Sequence, residues 1–311
     1  MSIDLITLGD LVADLIVPIE RLPIEADKHQ LAEYISLEPG GIGNTLIMAQ
    51  RLGLRTKAIG STGDDHFGRN VLEQLNAQGI DTSLTVTLAD STTTTALVIV
   101  DQQAQHVFVG QFGTGAPLVF DPKWAGEIAR AGALFINGYS VAGHGSLEQK
   151  SLLKCLTVAQ KNQVPIFFDL GPAYTSAKRA EVEQILHKTT LFLATNEELC
   201  HWTQVADPMR AAQDLLQCYQ IEVAVIKFGA AGCRIVTAAE TIICAGLDVA
   251  VRDTAGAGDA FAAACIYAQL NGYSLQKMGE LANAVGAATV SRVGTGTALP
   301  TKDEVMQLVR G

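Results

Sequence analysis

What this chain lacks narrows its function first. No cluster of lysine or arginine occurs, and the formal net charge is -10. An acidic protein repels a phosphate backbone, so nucleic acid is not an expected partner. A single nucleotide or phosphorylated sugar remains possible, because backbone N–H groups can bind phosphate locally. Charged residues are scarce at 17%, against 48% hydrophobic. That balance excludes a disordered chain and supplies ample core. No apolar run approaches a membrane span, and the opening MSIDLITLGD has neither the basic segment nor the apolar stretch of a secretion signal. A cytoplasmic protein with no membrane partner is expected. The six cysteines, Cys155, Cys200, Cys218, Cys233, Cys244 and Cys265, form no Cys-x-x-Cys pair and no zinc-ligand spacing. They are expected as reduced, mostly buried thiols. The histidines form no pattern either. No G-x-x-x-x-G-K-[ST] string is present, which excludes a P-loop. The stretches at 41–46 and 256–261 both lack the third glycine of a dinucleotide fingerprint, which disfavours a dehydrogenase.

What is present is a regular alternation of apolar and amphipathic segments. Residues 3–8 form a short apolar run ending in Gly9-Asp10, the pattern of a buried strand. Looser alternation over 28–37 suggests an exposed-face strand. The glycine-rich turn 39–44 opens a helical pattern through Leu52-Gly53. Residues 56–60 suggest a strand, and 67–78 an amphipathic helix stopped by Gly79. The Thr- and Val-rich stretch 92–109, broken at 101–105, has a hairpin signature. Further strands are expected at 133–136, 165–169, 191–194 and 223–227, with helices between them. Strand and helix alternating at this spacing predict an α/β domain with a mostly parallel sheet flanked by helices. One such domain over 1–311 is expected, with a small β-sheet lid built from about 12–39 and 92–111. Two sequential domains are the alternative.

The chemistry concentrates at Asp253-Thr254-Ala255-Gly256-Ala257-Gly258-Asp259. This stretch follows a β-like run at 247–251 and precedes an Ala-rich helix over 260–270. Small residues let the backbone turn tightly and present consecutive N–H groups at a helix N-terminus, where partial positive charge collects. Such a turn is an anion hole suited to a phosphoryl group in transfer. Asp259 beside it has two readings. As a helix cap it contributes about 1 kcal/mol; as a general base it accepts a hydroxyl proton.

Taken in order, these motifs resemble the ribokinase, or PfkB, family of carbohydrate kinases. Asp253 to Asp259 match every fixed position of a D-T-x-G-A-G-D signature. Gly40-Gly41-Ile42-Gly43-Asn44 is similar to the early glycine signature, and Gly63-Asp64-Asp65 with Phe67-Gly68 to a G-x-D-x-x-G segment. The resemblance implies a doubly wound sheet with a β-lid, and a single hydroxyl-phosphorylating site. It implies Asp259 as general base, with Gly256, Ala257 and Gly258 as the anion hole. ATP would lie against Lys227, Gly229 and Gly232, with Asn196, Thr254 and Asn283 adding contacts. Asp10, Asp14, Gly40, Gly41, Asn44, Tyr139 and Asp169 would border the substrate. Mg²⁺ would accompany ATP, and a monovalent cation such as K⁺ would sit by Asp253 and the carbonyls of Ala255, Arg292, Gly294 and Ala298.

Three departures are visible. The early glycine signature is one residue shorter than in typical ribokinases. The N-x-x-E pattern tied to magnesium here reads Asn196-Glu197-Glu198-Leu199, leaving Glu198 as a shifted substitute. Tyr139 stands where ribokinases keep an acidic sugar ligand, which argues against a true ribokinase. The expected function is ATP-dependent phosphorylation of a sugar or sugar-acid hydroxyl. The alternatives are a nucleoside kinase of the same family and a non-catalytic nucleotide-binding regulator. A homodimer through the lid is also expected.

Overall fold

The computed structural model describes residues 3–141 and 147–310; His144 lies outside them. In chain order, the N-terminal part runs β1 (Leu5–Leu8), β2 (Leu11–Pro18), β3 (Ser36–Gly41), α1 (Ile42–Leu52), β4 (Thr56–Ile59), β5 (Ser61–Gly63) and α2 (His66–Ala77). It continues with β6 (Val86–Leu88), β7 (Thr95–Val100), β8 (His106–Gln111), α3 (Pro122–Ile128), β9 (Ala133–Asn137), α4 (Gln149–Lys161), β10 (Ile166–Asp169), α5 (Arg179–Leu186) and β11 (Leu191–Thr195). The C-terminal part runs α6 (Asn196–Thr203), α7 (Pro208–Tyr219), β12 (Val223–Lys227), β13 (Cys233–Val236), β14 (Thr241–Cys244), α8 (Ala257–Leu270), α9 (Leu275–Val290) and α10 (Lys302–Arg310).

Eight strands form the main sheet in the order β14-β13-β12-β11-β10-β9-β1-β4. The pairings from β4 to β12 are parallel, and β13 and β14 close one edge antiparallel. The central strands are continuous apolar runs because helices cover both faces. Alternate residues divide between two cores. Phe135, Phe167, Leu193 and Val225 pack with α1, α8 and α9, whereas Leu134, Phe168, Phe192 and Ile226 pack with residues of α3 to α7. Helix α8 has no polar face, since Ala260 to Ile266 are all buried. Its alanines let it lie close between α1 and α9. No helix among the described residues is long and apolar enough to cross a membrane.

A second sheet has the order β3-β2-β7-β8 and draws on two separated stretches of chain. Ile16 and Val98 of this sheet pack on Ala255 and Val293 of the main body. Strand β8 is exposed along its whole length.

Two expected strands fall elsewhere. Residues 28–35 have no regular structure, and the strand is Ser36–Gly41. Pro39 and the two glycines therefore pair with β2 rather than form a turn. Proline is accepted there because β3 is an edge strand, which need not donate on its outer side. The run 247–251 is likewise not a strand. The main sheet already ends at β14, and Leu247 and Val251 lie exposed. Helix α8 begins at Ala257, earlier than expected, which puts Asp259 inside its first turn.

Candidate active site

The parallel strands end along one rim of the sheet. Asn137 pairs with Asp169, and Thr195 pairs with Lys227, at the carboxyl ends of β9, β10, β11 and β12. In open α/β sheets the crevice beyond such ends is where ligands bind. Lys227 reaches across β11 to Asp169, placing Nζ 3.0 and 2.8 Å from the two carboxylate oxygens. Burial would pull the ammonium down, but Asp169, then Glu198 and Asp259, hold it above its ordinary value. A methyl group on Gly258 would lie 3.7 Å from Lys227 Nζ. The ammonium therefore stands directly against the first turn of α8.

That turn has the form expected of an anion hole. Gly256 caps α8 at φ 71, a left-handed conformation that glycine adopts without strain. The Ala257 N–H donates to the Thr254 carbonyl at 3.3 Å. The first-turn amides of Gly258 and Asp259 have no acceptor inside the helix. The helix dipole and Lys227 add positive potential at the same point.

Asp259 lies behind this turn. Its Oδ2 accepts from Asn44 Nδ2 at 3.1 Å, and its backbone carbonyl accepts from Thr45 Oγ1 at 3.4 Å, both on α1. Burial pushes the carboxyl up to about 7; Asn44 and Lys227 oppose the shift, and Asp169 adds to it. The residue as a whole keeps some exposure, as a group meeting a substrate must. A carboxyl raised toward neutrality in the first turn of α8 suits a general base.

A second buried carboxyl lies at the other end of the site. Asp14 on β2 is 7% exposed, and its Oδ2 accepts from Thr295 Oγ1 at 2.9 Å. Burial pushes it up to about 7, Thr295 opposes, and the charges of Asp259, Glu38 and Asp253 add to the rise. Gly40 is required beside it, since a Cβ there would meet the Asp14 carboxylate at 2.2 Å. The Gly41 backbone lies against the Asp10 carbonyl, and the Asp10 carboxylate accepts from Thr94 Oγ1 at 3.4 Å. Tyr139 follows β9 and is 46% exposed. Burial raises its hydroxyl, and the carboxylates of Asp259, Asp14 and Glu198 raise it further.

The altered N-x-x-E segment has a clear local cause. Leu199 is fully buried in the core under β11, so that position faces away from the rim. Glu198 closes a capping box with Thr195, with bonds of 2.8 and 3.1 Å. Burial raises the Glu198 carboxyl, with the nearby Lys227 opposing. Asn196 is the first residue of α6. Among the described residues, no group of three or more His, Cys, Asp or Glu side chains is arranged for a metal. Glu198 and Asn196 nevertheless offer oxygen donors of the kind a largely hydrated Mg²⁺ accepts.

Asp253 is 1% exposed, and its two oxygens accept from Ala255 N–H at 2.9 Å and Gly294 N–H at 3.0 Å. Asp253 thereby joins the backbone at Ala255 to that at Gly294, and the carbonyls expected beside a monovalent cation, those of Ala255, Arg292, Gly294 and Ala298, would be oxygen donors suited to a hard cation. The Arg292 side chain points elsewhere and pairs with Glu304 at 3.0 Å.

Asn283, expected to add a contact to ATP, is engaged with the backbone. It is buried, and its amide donates to the carbonyls of Cys244 (3.0 Å) and Ala245 (2.9 Å). It thereby braces the backbone that packs against Gly232 in the turn after β12. Gly229 opens the short helical turn there, and the Phe228 N–H donates to the Gly232 carbonyl at 2.8 Å. Thr254 Oγ1 and His106 Nδ1 are joined at 3.2 Å, so β8 reaches the anion-hole loop. Sequence reasoning missed His106, Thr295 and Glu38. Their partners lie 148 to 281 residues away, and no local pattern marks them.

Comparison with known proteins gives a consistent result. A family model described as pfkB family carbohydrate kinase matches residues 2–302. The chain is 28% identical over 309 residues to a ribokinase of Mus musculus, covering 96% of this chain and 93% of that protein. It is 29% identical over 321 residues to a 5-dehydro-2-deoxygluconokinase of Geobacillus thermodenitrificans, covering 99% and 93%. Among solved structures, a putative ribokinase II from E. coli in complex with ATP and Mg²⁺ matches with a TM-score of 0.86 at 20% identity, covering 100% of this chain and 99% of that one. At that identity the structural likeness shows the fold.

Proposed function

The chain belongs to the pfkB family of ATP-dependent carbohydrate kinases, and on that premise we propose that it phosphorylates a hydroxyl of a sugar or sugar acid with Asp259 as general base. The observation that carries this reading is the Asp259 carboxyl, raised to about 7 by burial and set one residue from the glycine turn at the N-terminus of α8. In the reaction the substrate oxygen forms a bond to the γ-phosphorus of ATP as the bond from that phosphorus to the bridging oxygen breaks. The hydroxyl proton passes to Asp259 and ADP leaves. The Gly256–Gly258 turn and Lys227 offset the charge that develops on the phosphoryl oxygens.

ATP lies against Lys227, Gly229 and Gly232 in this reading, with Asn196 and Thr254 toward its phosphates. The substrate lies between Asp14, Gly41, Asn44 and Tyr139. Bound at Glu198 and Asn196, Mg²⁺ would neutralise phosphate charge; a monovalent cation would be held at Asp253 and the adjoining carbonyls. The exposed apolar side chains of Val107, Phe108 and Val109 on β8 support a homodimer through the small sheet. A sedimentation mass of one chain would remove that part.

A nucleoside acceptor is the second reading, favoured by the half-exposed ring of Tyr139, which could stack on a base. One assay tests both: ATP turnover with Mg²⁺, with and without K⁺, against sugars, sugar acids and nucleosides, by wild type and Asp259→Asn. Turnover that falls about 10²-fold or more in the variant supports the base and names the acceptor class. Equal rates in the two proteins would overturn the role of Asp259.

A further inference from the structure

Four consecutive residues after α9 are held one by one from four different parts of the chain. Gly294 N–H donates to Asp253 at 3.0 Å, Thr295 Oγ1 to Asp14 at 2.9 Å, and Gly296 N–H to Asn44 Oδ1 at 2.8 Å. Thr297 N–H donates to Glu38 Oε2 at 3.0 Å, and its hydroxyl donates to the same oxygen. Asp14 and Glu38 belong to the small sheet, Asn44 to α1, and Asp253 to the loop before α8. Asn44 faces both ways, since its Nδ2 donates to Asp259 at 3.1 Å while its Oδ1 holds Gly296. Hydrogen bonds joined by the Gly296–Thr297 peptide bond therefore link Glu38 through Thr297, Gly296 and Asn44 to Asp259.

The segment has little freedom to move by itself. Gly296 is at φ 57, and a Cβ on it would meet Pro39 at 2.8 Å, so it is pressed directly onto β3. Arg51, in the last turn of α1, donates to the carbonyls of Thr297 (3.0 Å) and Leu299. Glu38 stands directly opposite Asp14 across the β2–β3 pair, a placement that like charges disfavour. Thr297 explains the placement: it gives Glu38 two donors, while Asp14 takes the Thr295 hydroxyl. The small sheet thus grips the 294–297 segment with two carboxyl groups, and the segment grips the amide that holds the base.

We propose that Glu38 is a positioning residue for Asp259, acting through Thr297, Gly296 and Asn44, so that the seating of the small sheet sets the placement of the base. The proposal rests on the reading of Asp259 as base. Loss of Glu38 removes the hold on Thr297, the residue next to Gly296, which loosens the seat of Asn44 and through it that of Asp259. Because the Asn44 amide lowers the Asp259 carboxyl, the base then titrates at higher pH. The other groups facing Asp259 are Asp169 and Lys227 at the rim and Asp14 and Tyr139 on the substrate side. Glu38 itself faces Asp14 and Arg51. Glu38→Ala and Glu38→Gln also remove a charge that raises Asp14, which moves Asp14 in the direction opposite to the shift expected of Asp259.

The test is the pH dependence of kcat for wild type, Glu38→Ala, Glu38→Gln and Thr297→Val, with Asp259→Asn alongside. Glu38→Ala is expected to lower kcat by about tenfold, the size of one lost hydrogen bond to a positioned group. Its acidic limb should move to higher pH, while KM for ATP stays unchanged. Glu38→Gln keeps an acceptor for Thr297 and should restore the limb to near its wild-type position. Thr297→Val removes only the hydroxyl at an exposed position, so it tests the same link should Glu38→Ala fail to fold; a smaller shift in the same direction is expected. An unmoved limb in both Glu38→Ala and Thr297→Val, with Asp259→Asn inactive, overturns the relay and leaves the base intact. Full activity of Asp259→Asn overturns the base, and the relay with it.

Discussion

The sharpest consequence of the site concerns Asp259→Asn, because activity and stability should move in opposite directions. The carboxyl is raised from 3.8 to about 7. A raised carboxyl favours the fold only while it is protonated. Its contribution is fully present below the unfolded value and is lost as pH rises through about 7. Complete shielding would make the folded protein less stable above that pH by about 4 kcal/mol. Asp259 keeps some exposure, so we take about 1–3 kcal/mol as the realistic size. Asparagine is neutral at every pH, and its carbonyl can still accept from Asn44. The variant should therefore be about 1–3 kcal/mol more stable than wild type at pH 8 and indistinguishable at pH 4. Urea unfolding at the two pH values reads this directly, and turnover should fall about 10²-fold or more. Wild-type stability at pH 8 would mean that the carboxyl is not held in a desolvated site. Wild-type turnover would mean that the proton goes elsewhere. The wild-type kcat/KM should also rise about tenfold from pH 6 to 8 as the base ionises. Asp14 titrates in the same range, so the profile belongs to the pair until Asp14→Asn separates them.

Three further outcomes follow from the geometry. Lys227→Met leaves the buried Asp169 carboxylate unpaired and should destabilise by about 3–5 kcal/mol in urea; most of that should return in the Lys227→Met, Asp169→Leu double variant. Gly40→Ala places a methyl group on the Asp14 carboxylate and should cost about 1–3 kcal/mol, with KM for the sugar raised and KM for ATP unchanged. Equal changes in the two KM values would speak against Asp14 at the substrate end. Asn44→Ala should raise the acidic limb of the kcat profile, since the Asn44 amide lowers Asp259, and an unmoved limb would show that the bond at 3.1 Å is not carried into the working enzyme.

The main sheet was legible because its strands are buried on both faces, and their apolar runs at 133–136, 165–169, 191–194 and 223–227 needed no partner information to stand out. The α8 turn was legible for a different reason. Its small residues and the left-handed Gly256 are adjacent in the chain, so the motif is written into five consecutive positions. The errors share one cause. Residues 28–35 and 247–251 look strand-like in isolation but have no neighbouring strand to complete them, and pairing is not a local property. The bonds of Asn283 to two backbone carbonyls left no sign in the sequence, because an amide on a helix can serve a ligand or the backbone. Glu38, Thr295 and His106 left no trace, since each depends on a partner brought from a distant segment by the completed fold.

The departures from the family pattern fall unevenly across the site. The end proposed for the phosphates has the glycine turn, the N-terminus of α8 and a lysine held by Asp169. In the altered N-x-x-E segment Leu199 fills the core, and Glu198 is held by its own helix cap with Thr195. The acceptor end is where the chain diverges. Tyr139 stands where an acid was expected, and Asn44, at the end of the shortened glycine signature, donates to Asp259. A tyrosine beside Asp14 and Asp259 removes one negative charge from a pocket that already holds two raised carboxyls, so an acidic substrate meets less repulsion there than an additional Asp or Glu would impose. Turnover of sugar acids against neutral sugars in the acceptor panel described above reads whether that difference matters.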